Sequence, residues 1–195
     1  IQFGIEKAAA KALLSYGVPF QLNSMLAVLK DRLVPLLVAA MIGPAGVGLI
    51  SWAQSLAALP LEFMNVIIRI VFPAFARLQD DKVSLSKAVE KSLFVIALVV
   101  YPALFGLAAI LPSLINYVVS AKWQPAFDSF YLFAVSTYWA VISTTLTNTL
   151  NAIGHVKTTL KLMVMWTVLT WVLTPVMVYF YGLVGVAISA FIISF

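Results

Sequence analysis

The stretch GVPFQLNSMLAVLKDRLVPLLVAAMI, residues 17–42, decides the fold. It is long enough to cross a bilayer, which takes about 20 apolar residues, yet Lys30, Asp31 and Arg32 stand together near its middle. On the translocon scale a central Lys, Asp or Arg costs roughly 2.5–3.5 kcal/mol, so the three cost roughly 8–10 kcal/mol. The twelve Leu, Ile, Val and Phe residues return only about 4–7 kcal/mol on that scale. Alone in lipid this helix is disfavoured. It needs protein neighbours, water or a paired charge. Adjacent helical residues point about 100° apart, so at most part of the cluster is expected to neutralise itself.

The rest of the chain has the same character. Of 195 residues, 63% are hydrophobic and 10% charged, with a mean hydropathy of +1.06; a soluble domain carries about 25% charge. Apolar runs longer than about 18 residues recur and strand alternation is absent, so the chain reads as all-α, a polytopic membrane protein rather than an outer-membrane barrel. There is no cysteine, hence no disulfide, thiolate site or thiol nucleophile. The net charge of +5 sits at loop positions, so no nucleic-acid partner is expected. Neither a nucleophile elbow, a Gly-rich phosphate loop nor metal-ligand spacing occurs; no catalytic residue, metal or cofactor is expected. The chain starts at Ile1 and stops inside an apolar run, which reads as an internal fragment of a longer protein.

Residues 1–16 form a cytosolic or interfacial segment, and residues 17–195 a transmembrane lobe. Within it the spacing predicts spans at about 17–42, 47–72, 88–111, 127–152 and 158–181, with a truncated sixth at 183–195. Gly43-Pro44-Ala45-Gly46 is the first turn. Pro19, Pro35, Pro60, Pro102 and Pro175 fall inside spans, where proline tends to kink a helix. If the helices alternate, Lys7, Lys11, Arg77, Lys82, Lys87, Lys91, Lys157 and Lys161 share one side, against Lys122 on the other. The positive-inside rule then places the N-terminal end of the chain in the cytosol.

Two polar stripes run along apolar helices. In the second span Ser51, Ser55, Glu62, Asn65 and Arg69 recur at spacings of four, seven, three and four, one face of a helix. In the fourth, Thr137, Thr144, Asn148 and Asn151 do the same. Lipid offers such groups no partner, so they are expected to point inward. Counting helix rise from the span ends sets Asp31 and Glu62 at similar depth. Two roles stay open for each charge: Asp31 with a positive neighbour, or Glu62 with Arg69 or Asn65, reads as a structural pair or as a cavity group, and Arg69 as a snorkelling interfacial anchor or a substrate-binding group. The stripe in the fourth span is equally open to interhelical hydrogen bonding, and Trp166 and Trp171 read as packing or interface residues.

The order of these features resembles a known family. A helix with central Asp31 leads into Ile42-Gly43-Pro44-Ala45-Gly46-Val47-Gly48, and Ser51-Trp52-Ala53 opens the next helix. That helix exits through Phe72-Pro73-Ala74-Phe75-Ala76-Arg77. A helix with central Pro102 follows, then Ser120-Ala121-Lys122-Trp123. This resembles the oligosaccharide flippases of the multidrug/oligosaccharidyl-lipid/polysaccharide (MOP) exporter superfamily, nearest its lipopolysaccharide (O-antigen) and exopolysaccharide repeat-unit translocases. Two departures stand out: Leu49-Ile50 where many relatives place an aromatic residue, and Ser120 where many place glycine.

The resemblance implies a six-helix C-terminal lobe of a twelve- to fourteen-helix transporter, which faces a missing N-terminal lobe across a cavity. It implies a lipid-linked oligosaccharide as cargo, carried on undecaprenyl diphosphate across the bacterial inner membrane. Glycan polymerase machinery is a possible partner. Lys30, Arg32 and Arg69 suit a diphosphate. Ser51, Ser55, Asn65, Thr144, Asn148 and Asn151 suit sugar hydroxyls. Asp31 and Glu62 suit a coupling proton or cation. The rivals are a cation-coupled drug exporter of the same superfamily and a membrane-embedded glycan polymerase or ligase.

Overall fold

A computed structural model describes residues 7–194 of the chain. Every regular element among them is helical: α1 (Lys7–Ala58), α2 (Leu61–Arg77), α3 (Lys82–Leu114), α4 (Phe127–Ala152), α5 (Val156–Tyr181) and α6 (Leu183–Ser194). A π-helical turn, Ile115–Val119, and a 3-10 turn, Ala121–Ala126, join α3 to α4. Four stretches among the described residues are long and apolar enough to cross a bilayer: Leu13–Ala58, Lys82–Leu114, Ala121–Ala152 and Val156–Tyr181. The chain is an all-α, multi-pass membrane protein.

The α1 helix is two arms joined at Gly43, whose φ of 78° and ψ of 169° lie in a region essentially closed to any residue with a Cβ. Contacts along α4 show that the chain reverses there. On the first arm, the Tyr16 hydroxyl donates to the Asn151 carbonyl at the end of α4, at 3.1 Å. On the second arm, Trp52 stacks on Trp123, just before α4 begins, with centroids 4.8 Å apart. The Thr137 hydroxyl then meets the Ala57 carbonyl at 3.5 Å, part-way along α4. The first arm thus runs against α4 and the second runs with it.

Leu59 and Pro60 interrupt the second arm, and α2 carries on in the same direction, with Met64 and Ile68 packed among Ile96, Val100 and Val141. Residues 47–72, read as one span, are therefore divided at Pro60. Pro19, Pro35, Pro102 and Pro175 lie within continuous helices. Of residues 1–16, read as a cytosolic or interfacial segment, 7–16 continue straight into the first arm; residues 1–6 lie outside the described residues.

The α4 helix touches all five others. Its buried stripe of Phe130, Phe133, Thr137, Val141, Thr145 and Thr149 recurs every three or four residues, the spacing of one helix face. The hydroxyls of Thr137, Thr145 and Thr149 each donate to the carbonyl four residues back, at 2.8–2.9 Å. A hydroxyl bonded to its own helix can be buried without leaving a donor orphaned. On α3 the pattern is two-faced: Ile96, Val100 and Leu104 are buried, while Phe94, Leu98 and Phe105 are 62–70% exposed, a face suited to lipid. At the other end of the chain α6 folds back closely on α5. A Cβ on Gly185 would collide with the main chain at Met177 and Val178.

These backbone positions give the first expected outcomes. Gly43→Ala forces a Cβ into a glycine-only region and should destabilise the fold by about 1–3 kcal/mol. Gly185→Ala overpacks the α5–α6 contact at a similar cost, about 1–3 kcal/mol. Gly48→Ala, with nothing within 4 Å of the added Cβ, is the neutral control. Thermal unfolding in detergent reads all three.

The start of α3 gives a pH dependence. Asp81 caps it, accepting from the Ser84 hydroxyl and from the backbone N–H of Ser84 and Val83. These bonds, the Ser84 hydroxyl first, hold the Asp81 carboxyl below its ordinary 3.8. A carboxyl depressed in the folded state stabilises it above the unfolded pKa, and that contribution is lost as pH falls through the folded value. Amide exchange at Val83 and Ser84, corrected for intrinsic rate, should therefore be protected above 3.8 and lose protection below it. In Asp81→Ala the protection should be absent at every pH.

Candidate functional site

Both arms of α1 together with α4, α5 and α6 enclose a cavity of about 600 Å³. The first arm contributes Lys30 and Asp31, and the second Ser51 and Gln54. From α4 come Ser143, Thr144 and Thr147; from α5 Trp166, Thr170 and Thr174; from α6 Ser189 and Ser194. Apolar side chains, among them Val34, Val38, Ile50 and Phe133, complete the wall. Thr174 and Ser189 are buried and their hydroxyls lie 3.1 Å apart, joining α5 to α6 at the floor. Asp31, Ser51 and Gln54 are exposed and mark the open side.

The charge cluster of the first arm is resolved in a definite way. Lys30 Nζ lies 3.6 Å from Asp31 Oδ1, with the Lys30 side chain 29% exposed and that of Asp31 70%. Backbone directions alone would part these neighbours; the long lysine stem turns its ammonium back to the adjacent carboxylate. Arg32 is exposed, lies outside the cavity lining and forms no ion pair among the described residues. The cluster is partly self-neutralised.

Of the residues singled out from the sequence, Lys30, Asp31, Ser51 and Thr144 meet in this cavity. The second-span stripe goes elsewhere. Ser51, Ser55, Glu62, Asn65 and Arg69 are all exposed, and only Ser51 reaches the lining. Within this chain the stripe is an open polar face rather than a buried one. Glu62 and Arg69 form no ion pair among the described residues.

Two residues of the fourth-span stripe serve the helices instead. The Asn148 amide donates to the Thr144 carbonyl of its own helix at 2.9 Å. Asn151 is buried, and its Oδ1 accepts the Thr159 hydroxyl at 2.7 Å, tying α4 to α5.

Several lining groups were missed in the sequence: Gln54, Ser143, Thr147, Thr170, Thr174 and Ser189. For Thr170 and Thr174 a signal existed, since Thr167, Thr170 and Thr174 recur at spacings of three and four. It is masked by the strongly apolar residues between them. Trp166, read as a packing residue, belongs to the lining. No group of three or more His, Cys, Asp or Glu side chains that could hold a metal ion exists among the described residues.

A solved structure has this fold, a bundle of apolar helices. It is described as the outward-facing conformation of a multidrug resistance MATE family transporter of the MOP superfamily; the match has a TM-score of 0.74 and 17% identity, covering 94% of this chain and 42% of that one. The particular family follows from the sequence: the family described as "Polysaccharide biosynthesis protein" matches residues 1–128, and the chain belongs to it.

Two curated relatives are similar in sequence. The lipopolysaccharide biosynthesis protein WzxC of Escherichia coli (strain K12) is 32% identical over 112 residues, 57% of this chain and 23% of that protein. A protein of Klebsiella pneumoniae named "Uncharacterized membrane protein in cps region" is 27% identical over 184 residues, 92% of this chain and 37% of that protein. The chain thus spans well under half the length of each.

The Asn151–Thr159 link gives a direct check on the division between structural and cavity groups. Thr159→Val leaves a buried amide oxygen without its donor and should destabilise the protein by about 1–3 kcal/mol. Asn148→Ala, which removes only a bond within one helix, should shift thermal unfolding far less.

Proposed function

We propose that this chain is one lobe of a flippase that moves lipid-linked oligosaccharide repeat units across the bacterial inner membrane by alternating access. The cargo is carried on undecaprenyl diphosphate, passes from the cytosolic to the periplasmic leaflet, and serves lipopolysaccharide or exopolysaccharide synthesis. The role is transport rather than catalysis. One observation carries the reading: within a bundle of helices apolar enough for lipid, Lys30 and Asp31 head a polar cavity, and α2 of the same bundle leaves Glu62, Asn65 and Arg69 exposed. Groups of this kind at membrane depth mark substrate or ion paths. Family membership and the relative named for lipopolysaccharide biosynthesis supply the cargo class.

In this reading the open stripe faces the other lobe across a central passage. Arg69 and Arg32 meet the diphosphate. Asp31 carries a coupling proton, and Glu62 a coupling proton or cation. The N-terminal end of the chain lies in the cytosol. Support for that orientation comes from the Tyr16–Asn151 bond, which brings the start of α1 to the end of α4, next to Lys157 and Lys161 and away from Lys122.

A cation-coupled drug exporter is the alternative suggested by the solved structure's description. A glycan polymerase or ligase is disfavoured by the short connections between helices. The test is export of surface glycan by the full-length protein. Asp31→Ala, Glu62→Ala and Arg69→Ala should each lower it at least about tenfold, the equivalent of ~1.4 kcal/mol, with membrane insertion unchanged. Three variants that insert and export at the original rate would remove the assignment. Drug resistance lost together with the gene, with glycan intact, would favour the exporter.

A further inference from the structure

The hydroxyls around the cavity have an uneven hydrogen-bonding capacity. Thr147 donates to the Ser143 carbonyl at 2.8 Å, Thr170 to Trp166 at 2.7 Å and Ser194 to Phe191 at 2.9 Å. Ser143 donates to Ala140 at 3.4 Å, and Ser189 to Val186 at 2.8 Å, which leaves Thr174 as donor to Ser189. Each of these protons is spent inside the protein. What the oxygens offer to the cavity is lone pairs, to which Asp31 adds two more acceptor atoms. Donors are fewer: Lys30, the Gln54 amide, the Trp166 indole, and the hydroxyls of Ser51 and Thr144, which are bonded to nothing among the described residues.

A surplus of acceptors selects against an anion, because lone pairs facing a phosphate repel it. An inorganic cation fits poorly for two reasons. Lys30 already stands 3.6 Å from the one cavity carboxylate, and about 600 Å³ is far more room than an ion fills. That volume lies in the ordinary range of small-molecule sites, ~300–1,000 Å³. What remains is a neutral ligand rich in hydroxyl donors, with an apolar face for Trp166 and the Val34–Val38 wall.

We propose that the cavity inside this lobe is a saccharide subsite that takes a mono- or disaccharide part of a glycan and excludes the diphosphate. The anionic group is then left to the open face that carries Arg69. The assignment deepens the transport reading and rests on it for the source of the sugar; free sugar and lipid-linked glycan present the same hydroxyls.

The test is saturation-transfer NMR on the detergent-solubilised full-length protein, with free glucose, galactose and N-acetylglucosamine as probes. Transfer to the ring protons of at least one sugar is expected. It should fall about fivefold or more in the double variant Thr144→Val with Thr170→Val, in keeping with two lost hydrogen-bonding groups. The double variant Thr144→Ser with Thr170→Ser keeps both hydroxyls and should retain the signal, which separates lost contacts from lost folding.

Inorganic pyrophosphate should not displace the sugar, and replacing sodium by choline should leave the signal unchanged. No transfer from any of the three sugars, transfer undiminished in the valine variant, or displacement by pyrophosphate overturns the proposal. Sugar binding in a protein that exports no glycan would leave the subsite standing and remove the flippase reading. Glycan export without sugar binding would remove the subsite alone.

Discussion

The hydrocarbon of a bilayer supplies neither a hydrogen-bond partner nor a counter-charge, so each polar group in these helices depends on the protein or on water. The interior of α4 meets this locally. Thr137, Thr145 and Thr149 return their protons to their own helix, which lets a polar helix stand at the centre of the lobe and touch every other one. On the first arm of α1, Lys30, Asp31 and Arg32 cannot do the same, because they are charged. Lys30 turns to Asp31, and both stand over a cavity walled by four helices. The reversal at Gly43 makes that possible, since it brings Ser51 and Gln54 of the returning arm opposite the charges.

Two polar surfaces result, and their chemistry differs. The enclosed one is neutral as a whole and rich in acceptors. The open one, along the second arm and α2, carries Glu62, Asn65 and Arg69 with no ion pair between its charges. Lipid cannot cover that stripe at low cost. The chain spans only 42% of the solved transporter and 23% and 37% of its two curated relatives, so the proposal that a second lobe faces the stripe has material to draw on. The proposed division of labour, with sugar hydroxyls held inside this lobe and the anionic group outside it, rests on that difference in chemistry.

Much of the architecture was legible because membrane helices are written in long words. The Gly43-Pro44 turn and the apolar runs are local signals, and the structure places a reversal at the first and helices over the second, whereas the Asp81 cap, which starts α3 at Lys82 and not near residue 88, was not read. The cost of the first arm's charges called for protein neighbours, water or a paired charge, and the structure shows both the Lys30–Asp31 pair and a cavity that these two residues line. The partners across that cavity were harder to read. Thr170, Thr174 and Ser189 sit singly among Val, Leu and Ile on helices that look uniformly apolar, and nothing local tells which side faces α1. Asn148 and Asn151 show the opposite difficulty: their spacing matches Thr144, yet one bonds its own helix and the other bonds Thr159. Helical spacing identifies a face but not what covers it, and that depends on how α5 and α6 pack.

The central claim is that the polar groups of the cavity and of the open stripe face wet spaces and not lipid or dry packing. The chain has no cysteine, which suits a single-cysteine labelling experiment in the full-length protein, with any other cysteine replaced. A small water-soluble maleimide should modify Thr144→Cys and Glu62→Cys readily, while Phe94→Cys and Phe105→Cys on the outer face of α3 stay unmodified until the membrane is dissolved. If Thr144→Cys and Glu62→Cys were as unreactive as Phe94→Cys in intact membranes, the cavity and the open stripe would both be dry, and the account would be wrong.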